Sequence, residues 1–146
     1  MLRGIPFEIS PKLLRTLAEM GHGDRICIGD MFFPANSNAK EGRIIRADGI
    51  DAGTLTDAIL KLMPLDDWAE YSVIFLGQPD ENGVPGPSET TQEISKIISK
   101  YDENAAKTAK YVERFAFYDL TKECYAVISS GESRTYGCLI LQKGVK

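Results

Sequence analysis

Residues Ile9–Phe33 read ISPKLLRTLAEMGHGDRICIGDMFF, and the order of signals within them points to the fold. Ser10 followed by Pro11 is an N-cap and first-turn pair, with Leu13, Leu14, Leu17 and Met20 as the apolar stripe and Gly21 as the stop. That spacing predicts a helix. A few residues later Ile26, Cys27 and Ile28 form an unbroken apolar run, short and largely β-branched, which suits a strand covered on both faces. Asp30 then falls near the carboxyl end of that strand. The only histidine in the chain, His22, sits in the turn between helix and strand, flanked by Gly21 and Gly23.

Outward from this stretch, helix and strand patterns keep alternating. PANSNAKEG (34–42) reads as a polar loop and GRIIRADG (42–49) as a second strand, followed by a helix over Thr54–Met63 that stops at Pro64. A strand is predicted at about Ser72–Gly77, and the Gln78–Ser88 segment is the clearest loop, available as a flap, an oligomer contact or a surface excursion. Ser88–Tyr101 reads as a helix with Ile94, Ile97 and Ile98 inward, while Tyr111–Tyr118 fits helix or strand. ECYAVISSG and TYGCLILQKG close the chain as two strands, for which antiparallel pairing is left open. Alternation of this kind predicts an α/β fold, a three-layer α/β/α domain with helices on both faces of a mixed sheet.

A length of 146 residues suits one core, so a single domain over 1–146 is expected. With 43% apolar residues, 26% charged residues and a formal charge of -4, the composition is that of a soluble globular protein and argues against nucleic-acid and anionic-membrane partners. Cys27, Cys124 and Cys138 lack CxxC spacing and sit mostly in apolar runs, which suits free thiols in a reducing compartment. With neither a signal-type apolar segment nor a membrane-length one, a cytoplasmic location is expected.

Chemistry concentrates at few positions. An imidazole exchanges protons near neutrality without a cofactor, and the glycines around His22 leave it uncovered; a cationic histidine stabilising the preceding helix end is the alternative. Asp30 stands where open α/β sheets bind small ligands, and a carboxylate there accepts two hydrogen bonds from neighbouring sugar hydroxyls, or else caps a turn. Arg114 and Tyr118 in VERFAFYDL form a polar edge or, for Arg114, an ion pair with Glu113 or Asp119. Zinc on His22, Asp24 and Asp30 is poorly supported without a second histidine or a cysteine pair. Neither nucleotide-binding glycine pattern occurs, and SSGESRTYG is not a nucleophile elbow.

Taken together, ISPKLLRTLAEMGHGD, the Asp30 strand with FFPA, IIRADG, LMPLD, ERFAFYDL and SSGESRTYGCLILQKGV resemble the RbsD/FucU family of sugar mutarotases, nearest its L-fucose branch. The likeness spans nearly the whole chain and is weakest from Gln78 to about Lys110. It implies an RbsD-like fold and an isomerase that interconverts the α and β anomers of a free pyranose without metal or organic cofactor. L-fucose is the expected sugar; ribose, another monosaccharide or non-catalytic sugar binding are the alternatives. The resemblance implies His22 as the acid/base residue, with Asp30, Asp66, Arg114, Tyr118, Tyr136 and Cys138 as substrate-binding positions. It also implies self-association into a ring, commonly a decamer, with pockets near subunit contacts. Fucose-type members typically carry asparagine where this chain has Cys138, and a thiol donates and accepts hydrogen bonds only weakly.

Overall fold

Strand β1 (Arg25–Gly29) alternates its side chains between two cores. Ile26 and Ile28 enter one apolar cluster and Cys27 the other, as a pleated strand requires when both faces are covered. The computed structural model, which describes residues 2–145, places β1 inside a six-stranded sheet. Its partners are β2 (Ile44–Ala47), β3 (Val73–Leu76), β6 (Lys110–Val112), β7 (Ala126–Ser130) and β8 (Leu139–Gln142), in the order β2-β7-β1-β8-β3-β6. Pairing is parallel throughout except for β8, which runs antiparallel to both β1 and β3.

The predicted mixed sheet with helices on both faces is what forms. On one face Ile26, Ile28, Phe75, Ile128 and Leu139 pack with residues of α1 (Pro11–Glu19), α3 (Ala52–Leu60), α4 (Glu89–Ser99) and α5 (Glu103–Thr108). On the other, Cys27, Ile74, Val127, Cys138 and Ile140 pack with Ala35 of α2 (Ala35–Asn38) and Phe117 of α6 (Arg114–Glu123). Helix starts follow their caps. Ser10 Oγ accepts from Leu13 N–H at 3.2 Å and Asp51 Oδ1 from Thr54 N–H at 2.8 Å, so α3 begins two residues before the predicted Thr54.

Three readings differ from the fold. PANSNAKEG is not all loop, because Asn38 Nδ2 donates to the Pro34 carbonyl at 2.9 Å and closes one helical turn that buries Ala35. The Gln78–Ser88 loop contains a small hairpin, β4 (Gln78–Pro79) with β5 (Pro85–Gly86), whose turn is tied by Asp80 Oδ1 accepting from Asn82 and Val84 N–H. The last two long strands do not pair with each other: β1 lies between them, parallel to β7 and antiparallel to β8. The ambiguous Tyr111–Tyr118 run resolves into both alternatives, strand β6 and then helix α6, with Glu113 capping the helix. No helix among the described residues is long and apolar enough to cross a membrane.

Phe75 is fully buried and stacks on Tyr111 with ring centroids 5.2 Å apart. Phe75→Ala is expected to cost about 3–5 kcal/mol, read as a lower urea midpoint than wild type.

Candidate active site

The candidate residues fall into two groups at opposite ends of β1. His22 precedes the strand, and Gly23 N–H donates to the Lys143 carbonyl just beyond β8 at 2.8 Å. His22 Nε2 lies 3.2 Å from Asp66 Oδ1, with the imidazole about one-third exposed and the carboxylate buried. Asp66 is fixed from three sides. Its N–H donates to the Gln142 carbonyl at 3.1 Å, its Oδ2 accepts from Gln142 Nε2 at 2.8 Å, and its Oδ1 accepts from Trp68 N–H at 3.0 Å. Gln142 cannot turn its amide round, because its Oε1 already accepts from Arg25 Nε at 2.7 Å. Burial works to raise the Asp66 carboxyl, and the Gln142 amide, the Trp68 N–H and His22 together overcome it and hold the group below the usual carboxylate range.

The helix-end alternative for His22 is filled by another residue. Lys143 Nζ donates to the carbonyls of Leu17 and Met20 at 2.7 and 2.6 Å, so it is the cation that covers the end of α1. Asp24 is a turn residue, accepting from Gly21 N–H at 2.7 Å.

At the far end of β1 stand Asp30, Cys138, Tyr136, Tyr118 and Arg114. Asp30 is buried, and its oxygens accept from Phe32 N–H at 3.0 Å and Gly137 N–H at 3.4 Å. Burial nevertheless pushes its carboxyl up, against the contacts from Cys138 and the backbone. Cys138 Sγ accepts from Asp30 N–H at 3.2 Å and is completely buried, so its side chain braces Asp30 from beneath and does not face solvent. Tyr118 leans edge to face on Phe33, centroids 5.4 Å apart, and burial raises its phenol while Arg114 opposes that, so the group stays a proton donor at neutral pH. The Arg114 guanidinium lies 4.7 Å over the Phe115 ring. Neither sequence alternative for its ion pair forms: Glu113 caps α6 and Asp119 pairs with Lys122.

Tyr136 has φ 58°, a left-handed backbone that is unusual for a large side chain. Its neighbours hold it there. Ser88 Oγ donates to the Tyr136 carbonyl at 3.1 Å, and a Cβ on Gly137 would come within 2.6 Å of Glu132 Cγ, so glycine is required at 137. Glu132, buried, accepts from Arg134 N–H and Nε at 3.0 and 2.9 Å, while Arg134 reaches Glu93 of α4 at 2.7 Å. Met31 N–H donates to the Glu132 carbonyl at 2.9 Å, which ties the Tyr136 loop to the turn after Asp30. Arg114 and Tyr136 open onto a cleft of about 280 Å³ completed by the β4–β5 hairpin, and Met31 and Phe33 onto another of about 400 Å³ beside Arg46 and Ser130.

The two groups differ chemically. One end offers an imidazole oriented by a carboxylate, fit to take up and release a proton; the other offers a carboxylate, two phenols and a guanidinium, fit to hold a polyhydroxylated ligand. From residue 24 to residue 30 an extended strand rises roughly 20 Å, so no small ligand touches both ends of one chain. Among the described residues no group of three or more His, Cys, Asp or Glu side chains is arranged to hold a metal ion. Sequence reasoning missed Gln142, Ser88, Glu132, Arg134 and Trp68, of which Gln142 and Ser88 meet the candidate residues only through contacts between distant segments.

Comparison with known proteins gives a consistent result. A model of the RbsD / FucU transport protein family matches residues 3–146. The chain is 42% identical over 148 aligned positions to the fucose mutarotase of Homo sapiens, covering 99% of this chain and 94% of that protein. It superposes on FucU from Bifidobacterium longum with a TM-score of 0.90 at 40% identity, and on the fucose mutarotase of Streptococcus pneumoniae in complex with L-fucose with a TM-score of 0.87 at 37% identity, each over 99% of both chains.

Cys27, Cys124 and Cys138 are all free and buried, and burial pushes each thiol up, that of Cys124 to about 12. A disulfide reagent at pH 8 is therefore expected to label none of them in the native protein and all three after denaturation.

Proposed function

The chain belongs to the RbsD/FucU family, and from that premise we propose that it is a mutarotase interconverting the α and β anomers of a free pyranose, with L-fucose as the substrate. The carrying observation is full-length similarity, at 37–42% identity, to proteins named as fucose mutarotases, one of them solved with L-fucose. The cytoplasm is its proposed place of work, and three free cysteines suit that compartment.

Mutarotation opens the ring by putting a proton on the ring oxygen and removing one from the anomeric hydroxyl. Rotation about C1–C2 and the reverse transfers then close the other face. Because Asp66 engages His22 Nε2, Nδ1 is the nitrogen left for the sugar, and the buried carboxylate fixes the orientation of the ring that takes the proton. Tyr118, kept protonated by burial, is suited to relay the second proton. Asp30 orients the ring through paired hydroxyls, with Arg114 and Tyr136 forming the wall beside it, while Cys138 acts through Asp30.

Assembly follows from the separation of these groups. A head-to-tail contact would set the His22 end of one copy against the Asp30 end of the next, and such a heterologous contact closes into a ring when its rotation permits. Exposed apolar side chains suited to such a contact stand at the second end, Met31, Phe32 and Phe115. The ring proposed is the decamer expected of the family.

Saturation-transfer NMR of the anomeric protons, run with L-fucose, D-ribose, D-galactose and D-glucose, tests the activity. L-fucose exchange is expected to fall roughly 10²- to 10⁴-fold in His22→Ala, whereas Asp30→Asn raises KM more than it lowers kcat. Selective exchange of another sugar reassigns the substrate, and exchange no faster than buffer for all four defeats the proposal.

A mixing experiment tests the shared site. Co-refolded His22→Ala and Asp30→Asn chains, assayed at low sugar, are expected to regain about a quarter of wild-type activity, since random neighbours make one intact site in four. No recovery would return the whole site to a single chain.

A further inference from the structure

Trp68 is the only tryptophan of the chain, and it is 71% exposed. So large an apolar side chain is highly buried in most proteins. Its exposure does not come from a loose attachment. The Trp68 N–H donates to Asp66 Oδ1 at 3.0 Å, the same oxygen that lies 3.2 Å from His22 Nε2. The indole and the imidazole meet edge to face, with centroids 4.8 Å apart and planes at 88°. One buried carboxylate thus sets both rings, and most of the indole surface is left open beside the proton-exchanging group.

The inward-facing polar groups at this end are already engaged. Asp66 accepts from Gln142, from Trp68 and at His22, Gln142 is fixed by Arg25, and Lys143 is turned onto the end of α1. None of them is free to orient a ligand at His22. What remains is a broad aromatic surface, and a pyranose matches it: one side of the ring presents several C–H groups, which the negative face of an aromatic system attracts while the hydroxyl rim stays available to other partners. We propose that Trp68 is a sugar-stacking platform, taking the C–H face of the pyranose and holding the ring beside His22.

This inference rests on the mutarotase reading and adds a binding residue to it. In the shared site the sugar lies between the Trp68 face of one copy and the hydroxyl-binding group around Asp30 of the next. Stacking acts on the sugar before and during ring opening, so its loss affects binding more than chemistry.

Because the chain holds one tryptophan, its emission reports Trp68 alone. Titration of the full-length protein with L-fucose, with D-ribose as the second sugar, is expected to change that emission saturably, with a midpoint matching the KM of anomer exchange. Trp68→Ala should raise KM about 10-fold, keep kcat within about 3-fold and leave the particle size by light scattering unchanged, and Trp68→Tyr should recover most of the lost affinity. Emission that stays fixed at sugar concentrations saturating exchange overturns the platform while leaving the mutarotase intact, as does an unchanged KM in Trp68→Ala. A dissociated Trp68→Ala assembly also overturns it, by assigning the indole to a subunit contact. Saturable emission change without catalysed exchange upholds the platform and defeats the mutarotase reading instead.

Discussion

Strand β1 is hydrogen-bonded on both flanks, parallel to β7 through Ile26–Gly29 and antiparallel to β8 through Arg25–Ile28. His22 and Asp30 stand at its two ends, each met there by groups from other elements. The antiparallel register sets Arg25 opposite Gln142, which is why a glutamine late in the chain reaches the carboxylate facing His22. Carried one step past Ile28 opposite Leu139, the same register sets Cys138 opposite Gly29, from where its sulfur meets the N–H of Asp30. A slip of one residue would reverse every side chain between the two cores and part both pairs at once, so core burial and site geometry enforce the same register.

Two carboxylates, one at each end, are tuned in opposite directions. Asp66 is desolvated, yet it gathers enough hydrogen bonds to remain a strong anion. Asp30 is desolvated too, and its contacts do not make up the loss, so it is held more basic than a free carboxyl. The first condition suits a group that must hold an imidazole in one orientation through a reaction cycle. The second suits a group that gains from incoming hydroxyl donors, because a ligand supplies the hydrogen bonds that burial took away.

The layers were legible because they rest on local signals: the cap at Ser10, the stripe of Leu13 and Leu17, the inward isoleucines of α4, and the apolar runs of β1 and β3. Asp30 was legible for the same reason, since a polar residue ending a buried run has to lie at the sheet edge. What stayed hidden was pairing across the sequence. Nothing local to ECYAVISS or CLILQ says that a strand a hundred residues earlier will separate them, and only that pairing reveals that His22 and Asp30 lie at opposite ends of the sheet. The bracing of Tyr136 was hidden likewise, because Ser88 and Glu93 gain their meaning from where α4 docks.

The same logic decides what Cys138 does. Fucose-type relatives are expected to carry asparagine at this position, and in sequence the exchange looks like a lost ligand contact. Burial removes that reading: the thiol is enclosed, accepts from the Asp30 N–H and lies near enough to the Asp30 carboxyl for each to shift the other's protonation. A thiol is a weaker donor than an amide, so the carboxylate above it receives less stabilisation from below and is left with more capacity for donors from outside. Cys138 therefore acts on the carboxyl of Asp30 and stands apart from the cleft lined by Arg114, Tyr136 and the β4–β5 hairpin.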